Sequence, residues 1–112
     1  MNSMYCQKLI VNCLIYQDEK LVGTGYNIPL SPCDNVSCHH DNHCINTAHA
    51  EIVALLQAGQ LARGGVMYVS HYPCWHCRKA IIAAGIATVY YDHDYRCDHP
   101  DKFKEGVEWV KK

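Results

Sequence analysis

Two short stretches carry side chains whose types and spacing could do chemistry: His49-Ala50-Glu51 and Pro73-Cys74-Trp75-His76-Cys77. Imidazole nitrogen and thiolate sulfur are zinc ligands. Cys74 and Cys77 stand three residues apart, so in the first turn of a helix both sulfurs project from one face. Pro73 suits a helix start, where its missing N–H costs nothing. Unpaired N–H groups and the positive end of the helix dipole favour thiolates there. His49 is expected in the first turn of another helix. Three protein ligands leave the fourth tetrahedral position of zinc open, as in a catalytic rather than a structural site. Zinc in such a site makes hydroxide available near neutral pH. Glu51 is not needed as a ligand and is placed to move protons. A C-x-x-C pair alone reads as a structural zinc knuckle or a redox pair. The His-x-Glu one helix earlier favours metal-assisted hydrolysis, and no second feature of a thioredoxin-like site accompanies the pair.

Those side chains need two helices that begin at one end of a sheet. Residues 9–16 are apolar almost throughout, with Leu9, Ile10, Val11, Leu14 and Ile15, and read as a buried strand. A polar turn at 17–20 and a returning strand at 21–26 make a hairpin. Pro29 and Pro32 end it, and residues 31–46 read as a long polar loop without periodicity. Thr47 is expected to open a helix whose apolar face is Ile52, Val53, Leu55 and Leu56, closed by residues 59–65. A strand at 66–71, a helix at 73–84 stopped by Gly85 and a strand at 86–91 follow. Residues 101–105 read as a short helical stretch and 107–110 as a last strand. The order β-β-α-β-α-β-α-β implies one α/β domain, residues 1–112, on a mixed five-stranded sheet. Only 21 residues separate Glu51 from Pro73. That leaves room for one helix and one crossover strand, which puts both helix starts at the same end of the sheet.

Composition removes several function classes. A formal net charge of -1 with scattered basic residues argues against a nucleic-acid backbone as partner. No stretch is apolar enough to span a membrane, and the first residues lack the pattern of a signal peptide. A cytoplasmic protein with reduced thiols is expected. Eight Cys beside eight His then read as metal ligands rather than a disulfide framework. Cys13, inside an apolar run, and Cys97 are read instead as small buried hydrophobes.

The pair H-x-E and P-C-x-x-C is the signature of zinc-dependent nucleobase deaminases. From about Cys6 to Trp109 the chain resembles the deoxycytidylate (dCMP) deaminases of bacteria and phages, within the cytidine deaminase-like superfamily. The resembling stretches include Gly23-Thr24-Gly25-Tyr26-Asn27, His43-Cys44-Ile45-Asn46-Thr47-Ala48-His49-Ala50-Glu51 and Met67-Tyr68-Val69-Ser70-His71-Tyr72-Pro73-Cys74. Lys79-Ala80-Ile81-Ile82-Ala83-Ala84-Gly85-Ile86 and Asp94-Tyr95-Arg96 complete them. The resemblance implies a three-layer cytidine deaminase-like domain. It implies a catalytic zinc on His49, Cys74 and Cys77, Glu51 as proton carrier, and hydrolysis of dCMP to dUMP and ammonia. It also implies that Asn27 contacts the sugar and that Tyr95 and Arg96 hold the phosphate, with Lys8 a weaker candidate. Read locally, Asn27 caps a turn, Tyr95 is a core-edge aromatic and Arg96 a solvated charge. The chain departs from the family at Ile28, where relatives usually have Gly in a segment linked to allosteric control, so nucleoside-triphosphate regulation is not expected. It also starts almost at the first strand, without the helix that precedes it in relatives.

Six metal-competent side chains, Cys33, Cys38, His39, His40, His43 and Cys44, crowd twelve residues. Some relatives hold a structural zinc in this loop. By that resemblance Cys6, Cys33, Cys38 and His43 form a second, closed zinc site, with His39 and His40 as alternative ligands. Two other functions compete with a deaminase of small cytosine nucleotides. A nucleic-acid base editor would need a basic channel and aromatic platforms. A zinc-stabilised binding module leaves Glu51 unexplained. Both zinc helices are expected on one sheet face, which leaves the other face apolar and favours a homo-oligomer. In the rival arrangement Tyr5, Tyr16, Tyr90, Tyr91 and Trp109 cap that face and the chain stays monomeric.

Overall fold

The structure is a computed structural model that describes residues 10–31, 39–40, 43–44, 47–95 and 98–112. Strands β1 (Asn12–Gln17) and β2 (Lys20–Tyr26) form the expected hairpin. Its two turn residues, Asp18 and Glu19, both adopt positive φ, 50° and 67°, the twist that a two-residue hairpin loop requires. Short strands follow: β3 (Ile28–Pro29), β4 (His39–His40), β5 (His43–Cys44) and β6 (Thr47–Ala48). Then come α1 (Ala50–Ala58), a 3₁₀ turn at Gly59–Ala62, β7 (Val66–His71), α2 (Trp75–Ala84), β8 (Thr88–His93) and β9 (Glu108–Lys111). The main sheet runs β2-β1-β7-β8-β9. β1 is antiparallel to both neighbours, while β7, β8 and β9 are parallel. The mixed five-stranded sheet is the one expected.

Three local expectations are corrected. Thr47 does not open α1. Thr47 and Ala48 pair with Pro29 and Ile28, and these ladder bonds hold the chain extended through His49, the N-cap, at φ -69° and ψ 143°. Helix α2 likewise begins at Trp75, with Cys74 rather than Pro73 at its boundary as an extended N-cap. The helical stretch expected at 101–105 is absent, and turns take its place. His99, Phe103 and Gly106 have φ of 52°, 60° and 78°, a conformation that interrupts any right-handed helix.

Alternation along the strands sorts the two sheet faces. Cys13, Ile15, Met67, Val69 and Val89 are buried and share one cluster with Ala50, Ala54, Leu55 and Ala58 of α1 and Ile81 of α2. Both described helices therefore cover the same face. Tyr91 and Trp109 pack against this cluster too, so they do not cap the opposite face as the monomeric arrangement required. On that opposite face Tyr68 stacks on Tyr90 at 5.1 Å and meets Tyr16 edge-on at 5.7 Å. Beside them a shallow cavity of about 620 Å³ is lined by Leu14, Tyr16, Val66, Tyr68 and Lys112, among others. Tyr5 lies outside the described residues.

Helix α1 sits unusually close to β2 because two glycines leave room for it. A Cβ on Gly25 would stand 2.5 Å from the Ala50 carbonyl oxygen, and one on Gly23 would overlap the Ala54 carbonyl. Both obstacles are backbone, which cannot rotate away. Gly25→Ala is expected to lower unfolding free energy by about 1–3 kcal/mol, the usual scale of overpacking, read as a lower denaturant midpoint. A wild-type midpoint would mean that α1 can move out freely.

Candidate active site

The hairpin, the short β3–β6 pairing and α1 deliver His49 and Glu51 to the carboxyl edge of the parallel strands. β7 delivers Cys74 and Cys77 to the same edge by running directly into α2. In open α/β sheets this edge is where ligands bind. His49 Nδ1 lies 3.6 Å from Cys74 Sγ and 3.3 Å from Cys77 Sγ. The three ligand atoms all fall within 4.8 Å of one another. A tetrahedral zinc with bonds of about 2.3 Å to sulfur and about 2.0 Å to nitrogen needs sulfur–nitrogen edges of about 3.5 Å. The donor set and its spacing therefore fit zinc.

The electrostatics fit as well. Cys74 is held down to about 3, first by the hydrogen bond from the Cys77 thiol and then by His49. Cys77 is pushed up because it keeps the proton that it shares with Cys74, and burial adds to this. The His49 imidazole is raised by its hydrogen bond to Cys74, although burial opposes it. Two sulfurs and one imidazole nitrogen thus converge where a dication would displace thiol protons and bind both sulfurs. Glu51 is 4% exposed. Burial pushes its carboxyl up to about 7, against hydrogen bonds from its own N–H and from Cys77. Cys13 is wholly buried and pushed up by desolvation, with Glu51 adding to it. It remains the neutral apolar filler that the sequence suggested. Cys97 lies outside the described residues.

The other candidates separate. Asn27 follows β2 next to the β3–β6 pairing that leads to His49, and its Oδ1 accepts the Val11 N–H at 2.8 Å. That bond reaches across the hairpin to a residue sixteen positions earlier and is not the turn cap that the sequence suggested. Tyr95 is half-buried just past β8, beside an Asp94–Lys111 ion pair of 2.7 Å. Arg96, Lys8, Cys6, Cys33 and Cys38 lie outside the described residues. In the β4–β5 pair His40 stands opposite His43 and His39 opposite Cys44. The sequence reading missed Arg78, which is wholly buried. A signal was available: Arg78 lies four residues after Cys74 and three before Ile81, on the helix face that meets the sheet.

Residues 1–93 match the family described as the cytidine and deoxycytidylate deaminase zinc-binding region. The chain is 41% identical over 102 residues to ComE operon protein 2 of Bacillus subtilis, covering 85% of this chain and 53% of that protein. It is 34% identical over 111 residues to the deoxycytidylate deaminase of Saccharomyces cerevisiae, covering 88% and 35%. The chain thus spans about half of the first relative and about a third of the second. The crystal structure of a cyanophage S-TIM5 dCMP deaminase in complex with dCMP and dUMP superposes with TM-score 0.76 at 24% identity, over 97% of this chain and 85% of that one. At that identity the likeness speaks for the fold. RibD of Escherichia coli is also similar, 35% identical over 85 residues, covering 70% of this chain and 19% of that protein.

Proposed function

Because the chain belongs to the cytidine and deoxycytidylate deaminase family, we propose that it hydrolyses the exocyclic amine of a cytosine nucleotide, dCMP giving dUMP and ammonia. The observation that carries this reading is one cluster at two helix starts: His49 Nδ1 within 3.6 Å of both thiol sulfurs, with the buried carboxyl of Glu51 beside it. His49, Cys74 and Cys77 would hold zinc. When bound, zinc supplies Lewis-acid polarisation and makes hydroxide available near neutral pH. Glu51 Oε takes up a proton as water adds to C4 of the base, gives it to the ring nitrogen, and serves again in protonating the departing amine. Asn27 orients the sugar, and Tyr95 with Arg96 holds the phosphate, a task for which the guanidinium fork is well shaped. The net charge of -1 supports a small nucleotide over a nucleic acid. Among the described residues no helix is long and apolar enough to cross a membrane. A cytoplasmic location suits the reduced thiols of the site.

Ammonia release from dCMP, deoxycytidine, dCTP and single-stranded DNA tests the reading. Highest kcat/KM on dCMP is expected. Turnover of single-stranded DNA alone would make the chain a nucleic-acid editor, and no turnover of any of the four would leave a binding module.

We also expect two zinc ions per chain, the second on Cys6, Cys33, Cys38 and His43. Cys33→Ser should remove that ion and chiefly lower stability, because a structural zinc ties a loop that has little core of its own. Elemental analysis giving one zinc in the wild type rules the second site out. A homo-oligomer, a symmetric dimer at least, would cover the tyrosine-lined sheet face. A stable, active monomer in sedimentation at micromolar concentration would show that the face needs no partner.

A further inference from the structure

Among the described residues the connection from β8 to β9 has no helix, and its carbonyls are held mainly by Arg78, with one bond each from Tyr72 and Trp109. Arg78 Nη2 donates to the His99 carbonyl at 2.7 Å. Its Nη1 donates to the Pro100 carbonyl at 2.9 Å, to the Lys102 carbonyl and to the Tyr72 hydroxyl at 3.2 Å. The Tyr72 O–H in turn donates to the Pro100 carbonyl at 3.1 Å. Arg78 is wholly buried, and among the described residues it has no carboxylate partner and its Nε has no acceptor. Burying a cation is expensive, and filling that space with an apolar side chain would cost less. What the guanidinium adds is a rigid fork that reaches several carbonyls at once. It thereby holds a segment bent through positive φ at His99 and Phe103.

That segment lies against the metal-binding turn. The Arg78 N–H donates to the Cys74 carbonyl at 2.9 Å. Trp75, between the two cysteines, meets His99 edge-on at 6.1 Å and Phe103 at 6.2 Å. Lys79 lies over both Trp75 and Phe103, at 5.5 and 5.6 Å. The segment also continues the chain from Tyr95 at the carboxyl end of β8, the ligand edge of the sheet.

We propose that Arg78, with Tyr72, is a positioning residue that fixes segment 98–104 as one wall of the nucleotide site. The inference rests on the deaminase reading. It assigns Arg78 to substrate binding, through the wall and Tyr95, rather than to the chemical step. The test compares zinc-loaded wild type with Arg78→Lys, which keeps the charge and loses the fork. KM for dCMP should rise about tenfold or more, as when a charge-assisted contact is misplaced, while kcat stays within about threefold. The preference for dCMP over deoxycytidine should shrink, and hydrogen exchange at 98–104 should quicken while α2 stays protected. Tyr72→Phe removes one acceptor of the guanidinium and one tie to Pro100, leaves the three carbonyl acceptors of Arg78 in place, and should shift KM in the same direction by less. If Arg78→Lys does not fold, Tyr72→Phe decides. An unchanged KM in the zinc-loaded variant, or a fall in kcat with KM intact, overturns the proposal. A wild type inactive on every cytosine nucleotide sinks the deaminase reading and the wall with it, and that result is read before any variant is made.

Discussion

Glu51→Gln should fold, keep its zinc and turn over dCMP at least about 10⁴-fold more slowly than wild type, the upper end for a general acid–base group, because one carboxyl serves several proton transfers. The substitution keeps the shape of the side chain and removes its capacity to carry a proton. Glu51 is not among the three clustered ligand atoms, so metal content should be preserved. In the metal-free protein burial pushes its carboxyl up to about 7. A stability measurement on metal-free protein adds a second arm with a definite sign. A carboxyl whose folded pKa lies above its unfolded value of 4.5 favours the fold when protonated. That contribution is complete below the unfolded pKa and is lost as pH rises through about 7. Gln stays neutral throughout, so metal-free Glu51→Gln should be at least as stable as metal-free wild type at pH values above that window. Substantial turnover by a folded, zinc-loaded Glu51→Gln protein would falsify the assigned role.

The site was legible because its chemistry is local. His49 and Glu51 are two apart and Cys74 and Cys77 three apart, and the crossover between them is too short to do anything but bring two helix starts together. The strands were legible as short apolar runs, but the first is buried on one face only: Cys13 and Ile15 are buried, while Leu14 is exposed on the other face. What could not be read depended on partners distant in sequence. Thr47 has ordinary helix-start chemistry, and only its pairing with Pro29 keeps it extended. Residues 101–105 are polar enough for a surface helix. Their carbonyls are held from elsewhere, Lys102 by Arg78 and Lys104 by Trp109, while Arg78 and Tyr72 hold the preceding Pro100. Arg78 itself looks like a solvated charge until the carbonyls of His99, Pro100 and Lys102 are seen around it.

Cys77→Ser should remove the catalytic zinc and reduce activity below detection while leaving the metal-free fold nearly intact. A serine hydroxyl stays protonated at neutral pH, and zinc prefers the ionised sulfur that it replaces. Only His49 and Cys74 would then remain. The site is closed to easy repair by water, because Cys77 is wholly buried in the first turn of α2. The metal-free protein should tolerate the change for a specific reason. In it the Cys77 sulfur lies 3.3 Å from His49 Nδ1, and a serine hydroxyl at that position can hydrogen-bond as well. Unfolding of metal-free variant and metal-free wild type should therefore agree to within about 1 kcal/mol, the net scale of one hydrogen bond. Added zinc should raise the wild-type midpoint strongly, since metal affinity appears directly as folding stability. The same addition should raise the variant's midpoint far less. Elemental analysis should show one zinc fewer per chain. Wild-type zinc content with retained turnover in Cys77→Ser would mean that the fourth residue of the C-x-x-C is dispensable, and the three-ligand site would have to be redrawn.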